Sequence, residues 1–281
     1  MRKYTIPGII IAVICLAGFL AARNLPETIE REYRIEGEDL QVDIRIDAGE
    51  FELTRSDANR TVRVRIDYHP GRCKPHVSYE SDDRRLELDV DHQHLFQSND
   101  EGVARIYVEL PSTPVTDLRA KITAGEMNFQ LGDLSLRNCR IRSRAGELTV
   151  NFDQPNRIRM EKLDIGCSVG ETDLENLGNA RFRKARFNSG IGEMSVNFAG
   201  WADSLGRAEI DNDIGEMAVY IPRDVVARFR VSGTGFLTDF SCNQWFEKRG
   251  GYFYSRNSSD KTQNLDLRIS SGIGELDIHS D

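Results

Sequence analysis

The chain has 281 residues, long enough for one elongated domain or two ordinary ones, and its 39% apolar content suffices for a core without disulfide staples. Its 37 basic and 45 acidic side chains give a net charge of -8, with the basic residues scattered among acidic ones. Phosphate contacts demand a positive face, so this balance argues against nucleic acid as a partner.

Residues 1–24, "MRKYTIPGIIIAVICLAGFLAARN", place Arg2 and Lys3 ahead of an apolar run from Ile6 to Ala22. That is the pattern of an export signal, and the run length falls between a long signal core and a short membrane span. Cleavage after Ala22 would put Leu20 where a small residue is preferred, so a cleaved signal peptide and an uncleaved apolar helix acting as signal anchor both stay open. Cys15 follows Ile14, where a lipid-modified cysteine prefers a small neighbour. With the basic end held inside, everything after about Arg23 is expected to be extracytoplasmic, in the periplasm or on the cell surface.

Residues 25–116 read as an N-terminal β portion. The runs "TVRVRIDY", "RRLELDVD" and "ARIYVEL" have strand character and are joined by polar turns. Four histidines and a cysteine gather here: His69, Cys73, His76, His92 and His94. "CKPH" followed by "HQH" makes Cys73, His76, His92 and His94 candidate metal ligands. The competing reading is an ordinary turn with solvated side chains, and no cofactor is expected.

Gly-Glu pairs begin at Gly49, Gly125, Gly146, Gly170, Gly192, Gly215 and Gly274. The five from Gly125 to Gly215 are separated by 21, 24, 22 and 23 residues, a period that signals stacked supersecondary units. Apolar residues alternate before each pair, as in Leu118, Ala120, Ile122 and Ala124, and again after it, as in Met127, Phe129 and Leu131. Period two means strands with one buried face. Glycine tolerates positive φ, so each pair is expected to form a corner or bulge between two strands, with the residue before the Gly still facing the core. The expectation for residues 117–281 is therefore a single-stranded β-solenoid, all-β and β-helix-like, with about 22 residues per turn and those seven glycines as structural corners. Six residues before the Gly, the row Arg119, Arg140, Asp164, Arg186 and Glu209 largely alternates in sign, which supports parallel neighbours.

Cys139 and Cys167 fall on the inward register about four residues apart along neighbouring strands, too far for a disulfide, and are expected to be buried free thiols. The repeated glutamates Glu126, Glu147, Glu171, Glu193 and Glu216 could line up at strand spacing. A catalytic pair needs two unlike environments, however, and here each copy has the same one, so no catalytic residue is assigned. Between His94 and His279 there is no histidine to serve as general base. A weak copy, "VSGTGFLTDF", puts Gly235-Phe236 where the pair should be. An excursion over 241–264 then interrupts the period, and its aromatic residues Trp245, Phe246, Tyr252, Phe253 and Tyr254 either cap the open end of the coil or contact a partner.

The early "LQVDIRIDAGEFELTRSD", the "IYVELP" lead-in, the serial Gly-Glu copies and the closing "SGIGELDIHSD" resemble the toast-rack proteins of the bacterial envelope, over about Leu40 to Asp281. That group is similar to the C-terminal domains of LiaF-type stress regulators and to putative-adhesin domains of unknown function. The resemblance implies a β-solenoid outside the membrane, with signalling or adhesive roles and no established catalytic residues. One apolar N-terminal segment stands here in place of the several spans of the LiaF type.

The expected function is that of a non-catalytic, exported cell-envelope scaffold that binds or senses stress, with an envelope protein or surface polymer as partner. It would contact the membrane through the N-terminal segment if that is uncleaved. The alternatives are a surface adhesin or structural protein and, third, a carbohydrate-active β-helix enzyme.

Overall fold

Alternation of inward and outward side chains runs through nearly every strand of the chain, whose computed structural model describes residues 25–92, 103–200, 206–233, 237–258 and 264–280. The chain opens with β1 (Glu27–Arg34), β2 (Asp39–Ser56), β3 (Thr61–Tyr68), β4 (Cys73–Glu80), β5 (Arg85–His92) and β6 (Arg105–Pro111). The long repeats follow as β7 (Val115–Gln130), β8 (Leu136–Asn151), β9 (Met160–Glu175), β10 (Phe182–Asn197) and β11 (Arg207–Tyr220), with a short helix α1 (Leu177–Ala180) between β9 and β10. Then come β12 (Ala227–Ser232), β13 (Thr238–Cys242), β14 (Phe246–Arg249), β15 (Tyr252–Ser255) and β16 (Leu265–His279). All sixteen belong to one open sheet, so the fold is all-β and is not a barrel. The expected N-terminal apolar helix lies outside the described residues. Among the described residues no helix is long and apolar enough to cross a membrane.

Seven long strands, β2, β7, β8, β9, β10, β11 and β16, lie side by side in parallel. β7 and β8 are linked by residues 131–135 alone. A straight strand of that length would cover about 50 Å, whereas so short a link reaches about 20 Å. The strand must therefore double back, and it does so at the Gly-Glu pair. Ile122 and Met127 are both fully buried although their positions differ by an odd number, so residues 123–126 form an outer rim between two arms of opposite pleat. Pairing nonetheless continues through Ala124, Gly125 and Glu126, so each repeat is one bent strand and the expectation of two separate strands is corrected.

The bend requires glycine for two reasons. Gly125 has φ +131°, a conformation that side chains with a Cβ rarely adopt, and a Cβ there would sit 1.9 Å from the carbonyl oxygen of Gly49. The same approach recurs from Gly146 onto Gly125, Gly170 onto Gly146, Gly192 onto Gly170, Gly215 onto Gly192 and Gly274 onto Gly215. The seven glycines thus form a single file across the sheet.

A second expectation is corrected at the same place. The residue before each Gly does not face the core: Val169, Ile191, Ile214 and Ile273 are 43–51% exposed. Positive φ at the six Gly-Glu glycines from Gly125 to Gly274 inverts the pleat, and the preceding side chain swings outward with the rim; Gly49 makes its bend without positive φ. The inward place at the bend belongs to the residue three before the Gly, filled by Ile46, Ile122, Ser143, Cys167, Ser189, Asn212 and Ser271.

Both ends of the row of bent strands are closed alike. β2 is flanked on its first arm by β5 and on its second by β6. β16 is flanked on its first arm by β12 and on its second by β13. The weak copy supplies β12 and β13, and it lies beyond the last copy in space because β16 inserts between it and β11. Its Gly235-Phe236 lies outside the described residues. Between arms, buried Asn156 closes a connector: its side chain accepts from Leu136 N–H at 2.9 Å and donates to the carbonyls of Leu136 and Ile158.

Candidate functional site

The outward face of the first arm carries a groove of about 640 Å³ across β7 to β11. Two rows of side chains build it, because residues two apart on a strand share a face. Six before the Gly stand Arg119, Arg140, Asp164, Arg186 and Glu209; eight before stand Asp117, Asn138, Lys162, Lys184 and Arg207. Six cations and three carboxylates line the groove in a chain whose net charge is -8.

Each carboxylate is held by arginine. Arg140 and Arg142 bind Asp164 at 3.0 and 2.5 Å. Arg186 binds Glu209 at 2.7 Å, with Arg268 at 3.6 Å on its other side. Arg137 and Asn138 donate to Asp117. Burial opposes ionisation of Asp117, but these hydrogen bonds outweigh it and keep the carboxyl below its usual range. The Arg186 hydrogen bond likewise holds Glu209 low. The alternating row read from sequence is thus realised as cross-strand pairs. The row eight before the Gly was not read from sequence, although Lys162, Lys184 and Arg207 are spaced by the repeat offset and could have been aligned that way.

A second, smaller groove of about 280 Å³ lies on the other arm near the N-terminal end and is acidic, lined by Glu50, Glu52, Glu126 and Glu147. The repeated glutamates do stack in register, from Glu50 through Glu126, Glu147, Glu171 and Glu193, and from Glu216 to Glu275. Glu50 pairs with Arg105 at 2.8 Å; among the described residues the other six have no ion pair and are exposed. From Glu126 onward the environment is the same from strand to strand, so no two of those carboxylates are distinguished as acid and base.

Of the candidate metal ligands, the three described, Cys73, His76 and His92, do not all converge. Cys73 is directly opposite His92 across the β4–β5 pair, but Cys73 is buried while His76, on the other face of β4, is exposed opposite Asp89. His94 lies outside the described residues. Among the described residues no group of three or more potential ligands converges. All four described cysteines are free thiols, and burial pushes Cys139 up to about 12 and Cys242 up to about 11, so both stay protonated at neutral pH.

The aromatic residues of the excursion divide. Phe253 stacks on Phe229 of β12 at 5.0 Å between ring centres, and Phe246 meets the same ring edge-on at 5.1 Å. Trp245 is half-buried with Arg223 over its ring. Tyr252 and Tyr254 carry Arg228 and Arg249 over their faces.

No curated protein matches the chain. Among solved structures, a "putative cell adhesion protein" from Clostridium sporogenes is similar at 13% identity and TM-score 0.44, covering 91% of this chain and 100% of its own. A "putative adhesin" from Bacteroides fragilis is similar at 12% identity and TM-score 0.34, covering 90% and 97%. A "putative lipid binding protein" from Parabacteroides distasonis is similar at 13% identity and TM-score 0.37, covering 89% and 96%. Residues 25–161 match the family described as the N-terminal domain of toast-rack, DUF2154. Over those residues, just under half of the chain, the protein is similar to the toast-rack family.

Proposed function

We propose that the chain is an exported, non-catalytic scaffold of the cell envelope that binds a surface polymer along its repeats, tethered through residues 1–24. In this reading the bent strands form a single-stranded solenoid of about 22 residues per turn over 117–281, residues 25–116 are the N-terminal β portion, and the stacked glycines are its corners. The excursion over 241–264 is a cap, since Phe246 and Phe253 are spent on Phe229.

The observation that carries the reading is the repetition of one environment. A polymer presents the same group many times, and a surface with the same side chains at each strand spacing of about 4.8 Å is suited to it. The same repetition disfavours catalysis, which needs one carboxyl unlike its neighbour.

The test is recovery of partners from detergent-solubilised envelopes by the full chain, with fractionation of the cells that make it. An enriched envelope polymer, with the protein in the membrane or extracytoplasmic fraction, is the expected outcome. A soluble cytoplasmic protein, or loss of a product-forming activity on an envelope polysaccharide in a single Glu→Gln variant, overturns it.

A further inference from the structure

The first-arm groove has a charge arrangement that internal pairing does not use up. Lys162 and Lys184 are direct neighbours on β9 and β10, and Arg207 stands next to Lys184 on β11. Like charges directly opposite one another on adjacent strands destabilise a sheet. Arg207 reaches Asp266 at 3.4 Å, but among the described residues neither lysine has an ion pair, and both are exposed. The nearby carboxylates Asp164 and Glu209 are each already engaged by two arginines. The row of three cations therefore faces solvent with a repeat of about 4.8 Å.

Resting on the envelope-scaffold reading above, we propose that this groove binds a linear acidic polysaccharide laid across β7 to β11, with its carboxylates on Lys162, Lys184 and Arg207. Two features favour a glycan over a denser polyanion. The groove mixes six cations with three carboxylates, so a chain carrying hydroxyls between its anionic groups can donate to Asp117, Asp164 and Glu209 while its anions meet the lysines. A polyanion with no hydroxyls between its charges, such as polyphosphate, would meet those carboxylates unfavourably. Five strands also give about 19 Å of groove, enough for several sugars in an extended chain.

The probe is a fluorescently labelled linear oligogalacturonate, with one carboxylate per sugar, measured by polarisation against the full chain. The expected result is saturable binding that weakens with added salt, falls at least tenfold in the double variant Lys162→Gln/Lys184→Gln, and is unchanged in Lys74→Gln, an exposed cation on β4. A neutral oligogalactose should not compete. Equal binding by the double variant with an unaltered circular dichroism spectrum, no binding by the wild-type chain at millimolar probe, or binding of short polyphosphate alone would each overturn the assignment. The scaffold reading fails separately: if envelope recovery by the full chain persists undiminished in the double variant, the groove assignment falls while that reading stands.

Discussion

The bend is built differently at the two ends of the row of strands. In β2 and β7 the inward place holds Ile46 and Ile122 and the rim holds Ala48 and Ala124; in β10, β11 and β16 the inward place holds Ser189, Asn212 and Ser271 and the rim holds Ile191, Ile214 and Ile273. Large apolar and small side chains have changed sides. β8 marks the crossover, with Ser143 inside and Ala145 on the rim, and β9 follows with Cys167 inside and Val169 outside. The lesson is that the backbone, through the stacked glycines, fixes the bend in every copy, while the side chains beside it are free to invert. In the C-terminal copies the inversion leaves Ser189 Oγ, both amide atoms of Asn212 and Ser271 Oγ buried with no hydrogen bond inside the protein. Asn156, equally buried in a connector, has all its polar atoms engaged.

If the glycine file is what the two regions share, its loss should have the largest effect. Gly192→Ala places a Cβ 2.0 Å from the Gly170 carbonyl at φ +137° and is expected to cost more than about 3 kcal/mol in urea unfolding. Gly250→Ala, at a turn with nothing within 4 Å of the new methyl, should cost about 1 kcal/mol. Equal losses would break the common-backbone account.

The difference between the regions is probed by exchange. Ile122→Asn brings the C-terminal polarity into the apolar seam and should destabilise by about 3 kcal/mol or more, from lost apolar contact plus an unpaired amide. The reverse exchange, Asn212→Leu, removes a buried unpaired amide and should raise stability by about 1–2 kcal/mol, read as a higher melting temperature. A fall would mean that the amide is solvated or bound in its seam, and that the two bends differ by purpose.

The smallest effect belongs to a connector. Asp133 accepts from Arg157 at 2.8 and 2.9 Å and from Arg55 at 2.5 Å, and the Arg157 hydrogen bonds, first among the causes, hold its carboxyl below the usual range. A depressed folded value means that this contribution is present above the unfolded carboxylate pKa of ~3.9 and is lost as pH falls through the lower folded value. Asp133→Asn should therefore cost under about 1 kcal/mol at pH 7 and nothing once the pH is below the depressed folded value.

Strand character, the parallel stack and the glycine file were legible because alternation and a repeating pair leave a direct trace in sequence. The inside and outside of the bend were not. Ile191 and Ile214 look like core residues by composition, and only the parity change between the arms turns them outward. The order of strands was also hidden, since nearly identical copies offer the same edge and nothing local says that β16 pairs with β11 before β12 does. In the groove, Arg140 with Asp164 and Arg186 with Glu209 could be read from the offset, whereas the lysine row needed the register of a second position.

The late arrival of β16 beside β11 has a consequence for how the protein is made. A ribosome must deliver residues 265–279 before β12 and β13, already synthesised, can find their seat, so this end of the molecule has to wait half-formed while the other end can zip up strand by strand as it emerges. Cutting the chain ahead of Leu265 would then remove a middle plank, leaving β11 with an open flank and the aromatic lid with nothing to close.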